Sequence, residues 1–244
     1  FKIKSKKKPN LNPWKNITST VLKNNKIIDI GIIGKYVNLK DAYKSLDEAL
    51  THGGINNNLK VNLIRIESDK LKSGEIKDKL KDVSGILIPG GFGKRGTEGK
   101  IAAIYFARKN NIPFLGICFG MQMAVIEFAR NVLKIDADST EFDKKTPNPV
   151  IALITEWMDE DGLIHIRSER SEKGGTMRLG SQVCNLKKNS KMAKLYKKEK
   201  ISERHRHRYE FNNNYLPLFE KGGMKIIGKS ENNSLVEAIE LKGH

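Results

Sequence analysis

The sequence has few of the residues that mark secreted, metal-clustering or membrane-spanning proteins. Only two of its 244 residues are cysteines, Cys118 and Cys184, and they form no Cys-x-x-Cys pair. The sequence therefore suggests neither a disulfide framework nor a zinc cluster. No apolar run approaches the roughly 18 residues of a membrane span, and the basic first residues are not followed by the apolar segment of a secretory signal. We expect a cytoplasmic protein with reduced thiols and no membrane association.

The charge is unbalanced toward positive. The formal net charge of +17 and a pI of about 9.7 are typical of proteins that bind nucleic acid. The lysines are spread along the chain, however, with only short clusters such as 6–8 and 197–200. Because no nucleic-acid-binding motif accompanies them, solvated faces are the favoured interpretation and we expect no nucleic-acid partner. A basic nucleic-acid-binding protein, whose binding collapses with salt, is kept as the least favoured hypothesis.

Apolar runs of strand length alternate with helical patterns in the first half of the chain. The pattern predicts strands at 27–33, 61–66, 85–88 and 113–117, and helices at 41–50 (stopped by Gly53-Gly54), 99–111 and 121–133. Such alternation predicts an α/β sandwich whose mostly parallel sheet binds ligands at the carboxyl ends of its strands. From Val150 onward, polar connections between strand-like segments predict more antiparallel pairing. Residues 1–25 are interpreted as a basic arm or linker before one domain, 26–244.

The stretch GICFGMQ places Cys118 between a predicted strand and a predicted helix. Gly116 and Gly120 leave room for a sharp turn that exposes a nucleophile at the top of the sheet. We expect the helix N-terminus to lower the pKa of the thiol and the N–H of Phe119 to meet an oxyanion. A free cysteine is more commonly a small buried apolar residue, but the Gly-x-Cys-x-Gly turn favours the nucleophile.

A glycine-rich loop, PGGFGKRGTEGK, follows the strand predicted at 85–88. It matches neither of the two usual phosphate-binding patterns, so a phosphate cradle is only weakly indicated. Because the loop follows the neighbouring parallel strand, it is expected to lie beside the Cys118 turn. Its N–H groups would then supply the other half of an oxyanion hole.

The stretch ERHRHRYEF alternates basic side chains with others along a predicted strand. This period of two places Arg204, Arg206 and Arg208 on one face and His205, His207 and Tyr209 on the other. The strand is open to interpretation as a solvated basic edge or as part of a metal site. No third and fourth ligand has suitable spacing, so no metal is predicted.

Six motifs, taken in order, carry a resemblance to a known family. GKYVNLKDAYKSLDEAL, PGGFGKRGTEGK, LGICFGMQ, DSTEFD, GGTMRLG and ERHRHRYEFN resemble the class I (triad) glutamine amidotransferase domain of CTP synthases, from about Lys26 to the end of the sequence. The Gly-x-Cys-x-Gly motif is shared by all class I amidotransferases, whereas GGTMRLG and ERHRHRYE are specific to CTP synthases. The resemblance implies a flavodoxin-like sandwich and hydrolysis of L-glutamine through a cysteine thioester.

The resemblance also implies a role for each matched residue. Gly91 and Phe119 would donate to the oxyanion, Glu141 would bind the α-ammonium group of glutamine, and Arg208 its α-carboxylate. A zwitterion needs one fixed anion and one fixed cation, so this pairing is physically reasonable. The glutamine pocket would be shaped by Phe92, Gly120, Met121, Gln122 and Tyr209. Residues 174–178 would belong to a lid that couples the site to a synthetase domain and to the effector GTP.

The implied partners lie mostly outside this domain. No cofactor is expected in it; ATP and Mg²⁺ would serve a synthetase domain of the same full-length chain, GTP would be an allosteric effector, and the full-length enzyme would be a homotetramer. Ammonia would pass to the synthetase domain, where ATP phosphorylates UTP and amination gives CTP.

The sequence departs from the family pattern in its catalytic base. The family carries its triad histidine and glutamate in a His-Pro-Glu motif, which these 244 residues do not contain; His244 corresponds to a histidine shortly before it. We expect that the parent protein continues into this motif. The alternative is a silent module that binds glutamine without hydrolysing it. Phe119, where many relatives have leucine, keeps its backbone donor.

Overall fold

The computed structural model describes residues 8–23, 26–37, 39–71, 73–153, 156–158, 164–166 and 177–244. In these ranges no helix combines the length and the apolar character needed to cross a lipid bilayer.

A four-stranded parallel sheet carries the first half of the chain. Its strands are β1 (Ile27–Gly34), β2 (Lys60–Glu67), β3 (Gly85–Ile88) and β4 (Phe114–Gly116), in the order β2-β1-β3-β4. All four lie within one or two residues of the predicted runs. Every residue of β3 is buried, which explains its unbroken apolar sequence. Because β3 and β4 are parallel neighbours, the loops after them leave the sheet at the same edge.

Seven α-helices accompany the described strands. Their bounds are α1 (Asn12–Leu22), α2 (Lys44–Asn56), α3 (Ile76–Leu80), α4 (Thr97–Lys109), α5 (Phe119–Phe128), α6 (Lys191–Tyr196) and α7 (Leu216–Lys221). The predicted helix 121–133 is α5 followed by a π-helical turn, Ala129–Leu133. Helices α4 and α5 pack on the parallel sheet, where Ile88, Ile104 and Met123 are buried in the main core. The helix α1 was not predicted; none of its residues is buried.

The predicted stop of a helix at Gly53-Gly54 is wrong, because both glycines lie inside α2. A β-carbon on Gly54 would come within 2.8 Å of Val61 and 2.9 Å of the carbonyl oxygen of Leu59, so this glycine permits close packing of the helix on β2. The chain leaves α2 through Asn58, which has a φ of 54°. Asparagine tolerates this left-handed conformation better than most residues.

The second half of the chain forms three further sheets. The strands are β5 (Ala137–Ser139), β6 (Asn148–Leu153), β7 (Glu156–Met158), β8 (Ile164–Ile166), β9 (Arg178–Leu186), β10 (Lys200–His207), β11 (Tyr209–Phe211), β12 (Met224–Ser230) and β13 (Val236–Leu241). The sheet β10-β9-β12-β13 is antiparallel throughout, β11-β6-β5 is mixed, and β7 pairs with β8. The predicted antiparallel pairing is confirmed. A small second core, which contains Cys184, lies on the antiparallel sheet.

Candidate active site

Cys118 occupies the turn between β4 and α5 in a strained backbone conformation. Its φ of 53° and ψ of −104° form a backbone conformation that residues other than glycine rarely adopt. The turn is tight because its two glycines touch neighbouring backbone. A β-carbon on Gly116 would lie 2.6 Å from Gly120, and one on Gly120 would lie 2.2 Å from the carbonyl oxygen of Ile88. The structure thus shows the sharp strand-to-helix turn that the Gly-x-Cys-x-Gly spacing predicts.

The glycine-rich loop after β3 lies against this turn, as the parallel pairing predicts. A β-carbon on Gly90 would be 3.7 Å from that of Cys118, and one on Gly91 would be 3.9 Å from the Phe119 ring. Both distances are those of ordinary van der Waals contact. Phe92, at the next position, is exposed. The glycine-rich loop therefore packs against the Cys118 turn, with Gly91 beside the Phe119 ring.

The ionisation of Cys118 differs from the sequence-based expectation. Burial raises the pKa of the thiol to about 11, although the hydrogen bond from the Phe119 backbone N–H opposes this; the carboxylates of Glu210 and Glu141 raise the pKa further. The expected lowering by the helix N-terminus is present in the Phe119 N–H hydrogen bond, but the loss of water around the sulfur outweighs it, so the net shift of the pKa is upward. With its pKa at this value, the Cys118 thiol is mostly protonated at neutral pH.

Glu141 joins the loop after β5 to the glycine-rich loop. Its Oε1 accepts a hydrogen bond from the N–H of Gly93 at 2.7 Å. Burial raises the pKa of the Glu141 carboxyl, whereas this N–H and the positive charges of Lys35 and Arg208 lower it. Glu141 and Arg208 are therefore close enough to interact electrostatically, and both side chains are half-buried.

Arg208 lies at the bend between β10 and β11. Alternation along β10 holds as far as His207, with Arg204 and Arg206 exposed and His207 buried. Beyond the bend, Tyr209 begins β11 and pairs with Leu153 in a different sheet. The main-chain carbonyl of Tyr209 accepts a hydrogen bond of 2.8 Å from Nε2 of Gln122, a buried residue in the first turn of α5. The Arg208–Tyr209 segment is thereby fastened to the helix that begins beside Cys118.

Two buried lysines under the glycine-rich loop were not predicted. Lys35, directly after β1, donates from Nζ to the carbonyl of Gly93 at 2.7 Å and to that of Phe92. Lys100, on α4, donates to Ser68 Oγ at 3.0 Å. Both ammonium groups lie over the Phe119 ring, 5.2 and 5.5 Å from its centroid. The GKY motif was visible in the sequence, but nothing in its spacing indicated that Lys35 reaches a loop 57 residues later.

Most of the residues expected at the site lie close to Cys118. Those placed around the Cys118 turn or linked to it by the contacts above are Gly91, Phe92, Phe119, Gly120, Met121, Gln122, Glu141, Arg208 and Tyr209. Of the suggested lid, residues 174–176 lie outside the described residues, while Met177 and Arg178 lie within them. His244 is remote from this group, with Nε2 3.4 Å from the carbonyl of Ala107.

A cluster of buried ionisable groups lies behind the Arg208 bend. His205 and His207 gain a third potential metal donor in Glu237, which their spacing in the sequence did not reveal. The cluster already contains a cation, since Nη1 of Arg178 is 2.5 Å from Glu237 Oε1 and 3.4 Å from His205 Nδ1. A metal ion there would face the guanidinium at close range, so the donor set fits an ion pair better than a metal.

Comparison with known proteins agrees with the geometry. A model of the family described as glutamine amidotransferase class-I matches residues 38–244. The chain is 64% identical over 245 residues to the CTP synthase of Pelagibacter ubique (strain HTCC1062); the match covers 100% of this chain and 45% of that protein. The chain thus spans less than half the length of this curated relative. Among solved structures, it resembles the glutaminase domain of Trypanosoma brucei CTPS with bound acivicin, with a TM-score of 0.77, 36% identity, and coverage of 88% of this chain and 81% of that one.

Proposed function

This chain belongs to the class I glutamine amidotransferase family, and from that membership we propose that it is the glutaminase domain of a CTP synthase. The observation that carries the proposal is the strained turn at Cys118, which is faced by the glycine-rich loop and joined through Gln122 to the Arg208 bend. The 64% identity to a CTP synthase supports the choice of parent enzyme.

The chemistry begins at the side-chain amide of L-glutamine. Sγ of Cys118 attacks the amide carbon, the carbon–nitrogen bond breaks, and ammonia leaves a γ-glutamyl thioester. The thiol proton passes through a base to the departing nitrogen, and water then cleaves the thioester to give glutamate. The N–H groups of Gly91 and Phe119 would stabilise the negative oxygen that forms at each addition.

The amino-acid end of glutamine would be held by two opposite charges. Glu141 would bind the α-ammonium group and Arg208 the α-carboxylate, as in the family pattern. Their electrostatic interaction in the structure supports this pairing, because a zwitterion fits between a carboxylate and a guanidinium. The pocket between them and Cys118 would be lined by Phe92, Gly120, Met121, Gln122 and Tyr209.

The raised pKa of Cys118 makes a base essential to this mechanism. A thiol with a pKa of about 11 is almost fully protonated at neutral pH. In the family the base is the histidine of a His-Pro-Glu motif, which the 244 residues do not include. A site without such a base would have the second candidate function, glutamine binding without hydrolysis.

The remaining parts of the proposal concern the whole protein. A synthetase domain in the same chain would use ATP and Mg²⁺ to activate UTP and would receive the ammonia, GTP would act as an allosteric effector, and the enzyme would be a cytoplasmic homotetramer. Residues 1–25 would connect the two domains, and no cofactor is assigned to residues 26–244.

Replacing Cys118 by alanine in the full-length protein tests the proposal. CTP formation from UTP and ATP should disappear when L-glutamine is the nitrogen source and continue when ammonium chloride replaces it. Loss with both nitrogen sources would indicate a general defect. Undiminished use of glutamine would show that Cys118 is not the nucleophile.

A further inference from the structure

Arg178 is a fully buried arginine that holds two carboxylates from different sheets. It begins β9, and 2% of its surface is exposed. Its Nη1 contacts Glu237 Oε1 at 2.5 Å and Glu210 Oε1 at 3.3 Å, while Nε donates to Gln182 Oε1 at 3.2 Å. Glu237 belongs to β13 in the antiparallel sheet and Glu210 to β11 in the mixed sheet. The guanidinium therefore links the two sheets at a point where water is excluded.

The neighbouring histidines complete this link. His205 Nδ1 lies 2.8 Å from His207 Nε2, and His207 Nδ1 lies 3.1 Å from Glu210 Oε1. Burial, with the charge of Arg178, lowers the pKa of His205 to about 4, so its ring is neutral. Burial raises the pKa of both Glu210 and Glu237, and Arg178 opposes this rise. Arg178 is thus the main positive charge that keeps these two carboxylates buried in their places.

The residues in this charge network flank the Arg208 bend in the sequence. His207 precedes Arg208 at the end of β10, and Glu210 follows it by two positions in β11. On the side of α5, Gln122 holds the carbonyl of Tyr209. Because Glu210 is buried and lies two residues after Arg208, its position constrains the chain just beyond the bend. Arg178 anchors Glu210 at 3.3 Å.

We propose that Arg178 is a positioning residue for glutamine: by clamping Glu210 against Glu237 it fixes the bend that presents Arg208 to the α-carboxylate. This inference rests on the proposed glutaminase function. It assigns a role to the final arginine of the GGTMR stretch that is distinct from any contact with substrate. An arginine with a purely structural role would support the fold, and its loss would impair binding of the α-carboxylate and reaction at Cys118 to the same degree.

The chain offers a matched control in Arg108. Its guanidinium also pairs with a buried carboxylate, with Nη2 2.6 Å from Glu127 Oε1 and Nε 3.0 Å from Oε2. This pair joins α4 to α5 and does not involve β10 or β11. An arginine-to-lysine change at either position keeps the charge and loses the forked hydrogen bonds. Both changes should therefore lower the melting temperature, but only the change at Arg178 should weaken glutamine binding.

The first experiment compares Arg178→Lys with Arg108→Lys in the full-length protein. In a Cys118→Ala background, calorimetry should give a Kd for L-glutamine about tenfold weaker for Arg178→Lys and unchanged within about twofold for Arg108→Lys. With Cys118 present, alkylation by iodoacetamide, which has no carboxylate, should proceed at the same rate in both. Two results would overturn the inference. One is an equal loss of glutamine affinity in the two variants; the other is an alkylation rate in Arg178→Lys that falls by as much as its glutamine affinity.

A second experiment tests whether the effect passes through Arg208. Adding Arg178→Lys to Arg208→Met should weaken glutamine binding no further, because the group being positioned is already absent. Additive losses would overturn the inference. Should Arg178→Lys not fold, Glu210→Gln is measured in the same way and should also weaken glutamine binding, whereas wild-type affinity would overturn the inference. If the Cys118→Ala reference binds no glutamine, the proposed function itself is wrong and the inference falls with it; a reference that binds normally isolates the role of Arg178.

Discussion

The N–H of Gly93 donates a hydrogen bond to Oε1 of Glu141 at 2.7 Å, and this contact joins the two loops that would enclose the head of the substrate. The carbonyl of the same Gly93 accepts from Lys35 Nζ, also at 2.7 Å. One glycine therefore connects a buried ammonium group to the carboxylate proposed for the α-ammonium of glutamine. The glycine-rich loop is thus held by hydrogen bonds to both Lys35 and Glu141.

Lys35→Met should reduce glutamine hydrolysis by the full-length protein. The methionine side chain has a similar length but cannot donate to the carbonyls of Phe92 and Gly93, so the loop that carries the Gly91 N–H loses its fixed position. Loss of oxyanion stabilisation predicts a decrease of about 10²-fold in kcat/KM. The exposed Lys79→Met, which loses only a surface ion pair with Glu75, serves as the control. Equal kcat/KM in both variants would contradict the role of Lys35.

Gly120→Ala should destabilise the protein, whereas Gly53→Ala should stabilise it. The new methyl group at Gly120 would overlap the carbonyl oxygen of Ile88, at a cost of at least about 2 kcal/mol in the free energy of unfolding. No atom lies within 4 Å of a β-carbon at Gly53, inside α2, so alanine there should contribute about 0.5–1 kcal/mol. Urea denaturation of the two variants measures both values. Similar changes in the free energy of unfolding at both sites would show that the contact with the Ile88 carbonyl does not exclude a side chain at Gly120.

Alkylation of Cys118 in the 244-residue chain should be slow at neutral pH and accelerate with pH. Since burial raises the pKa of the thiol to about 11, the thiolate fraction should increase about tenfold per pH unit between pH 7 and 9.5. Intact mass after timed exposure to iodoacetamide measures the rate, and Cys118→Ala corrects for reaction at Cys184. A rate that levels off below pH 8 would mean that the thiolate is stabilised after all.

Lys100 should make the protein more stable as pH rises above 8. Burial, with the nearby charge of Lys35, lowers the pKa of this lysine from 10.5 to about 8 in the folded state. Between these pH values the unfolded chain holds the proton and the folded chain does not, so the free energy of unfolding increases with pH. The difference in stability between wild type and Lys100→Met should therefore shift toward wild type from pH 8 to 10. A constant difference in urea denaturation would contradict the lowered pKa.

The sequence predicted the parallel sheet and the Cys118 turn well because both depend on local signals. Unbroken apolar runs marked β1 to β4, and the two glycines around Cys118 marked a backbone with no room for side chains. Gly54 misled the prediction because the same lack of a side chain serves either to end a helix or to bring it close to a strand. Only the positions of Leu59 and Val61 distinguish the two uses.

The charge network and the thiol pKa were beyond the sequence because they depend on tertiary burial. Arg178, Glu210 and Glu237 come from three strands separated by tens of residues, and no spacing rule connects them. The expectation for Cys118 counted the helix N-terminus, which the sequence shows, and omitted desolvation, which it does not. Resemblance of motifs supplied Glu141 and Arg208, whose proximity the structure supports through their electrostatic interaction.

The most direct test of the account is to locate the adduct formed by a diazoketone analogue of L-glutamine on the full-length protein. Peptide mass spectrometry should find one adduct, on Cys118; excess L-glutamine should prevent it, and Cys118→Ala should abolish it. An adduct on Cys184, or one on Cys118 that L-glutamine does not prevent, would contradict the assignment of Cys118 as the nucleophile of a glutamine site.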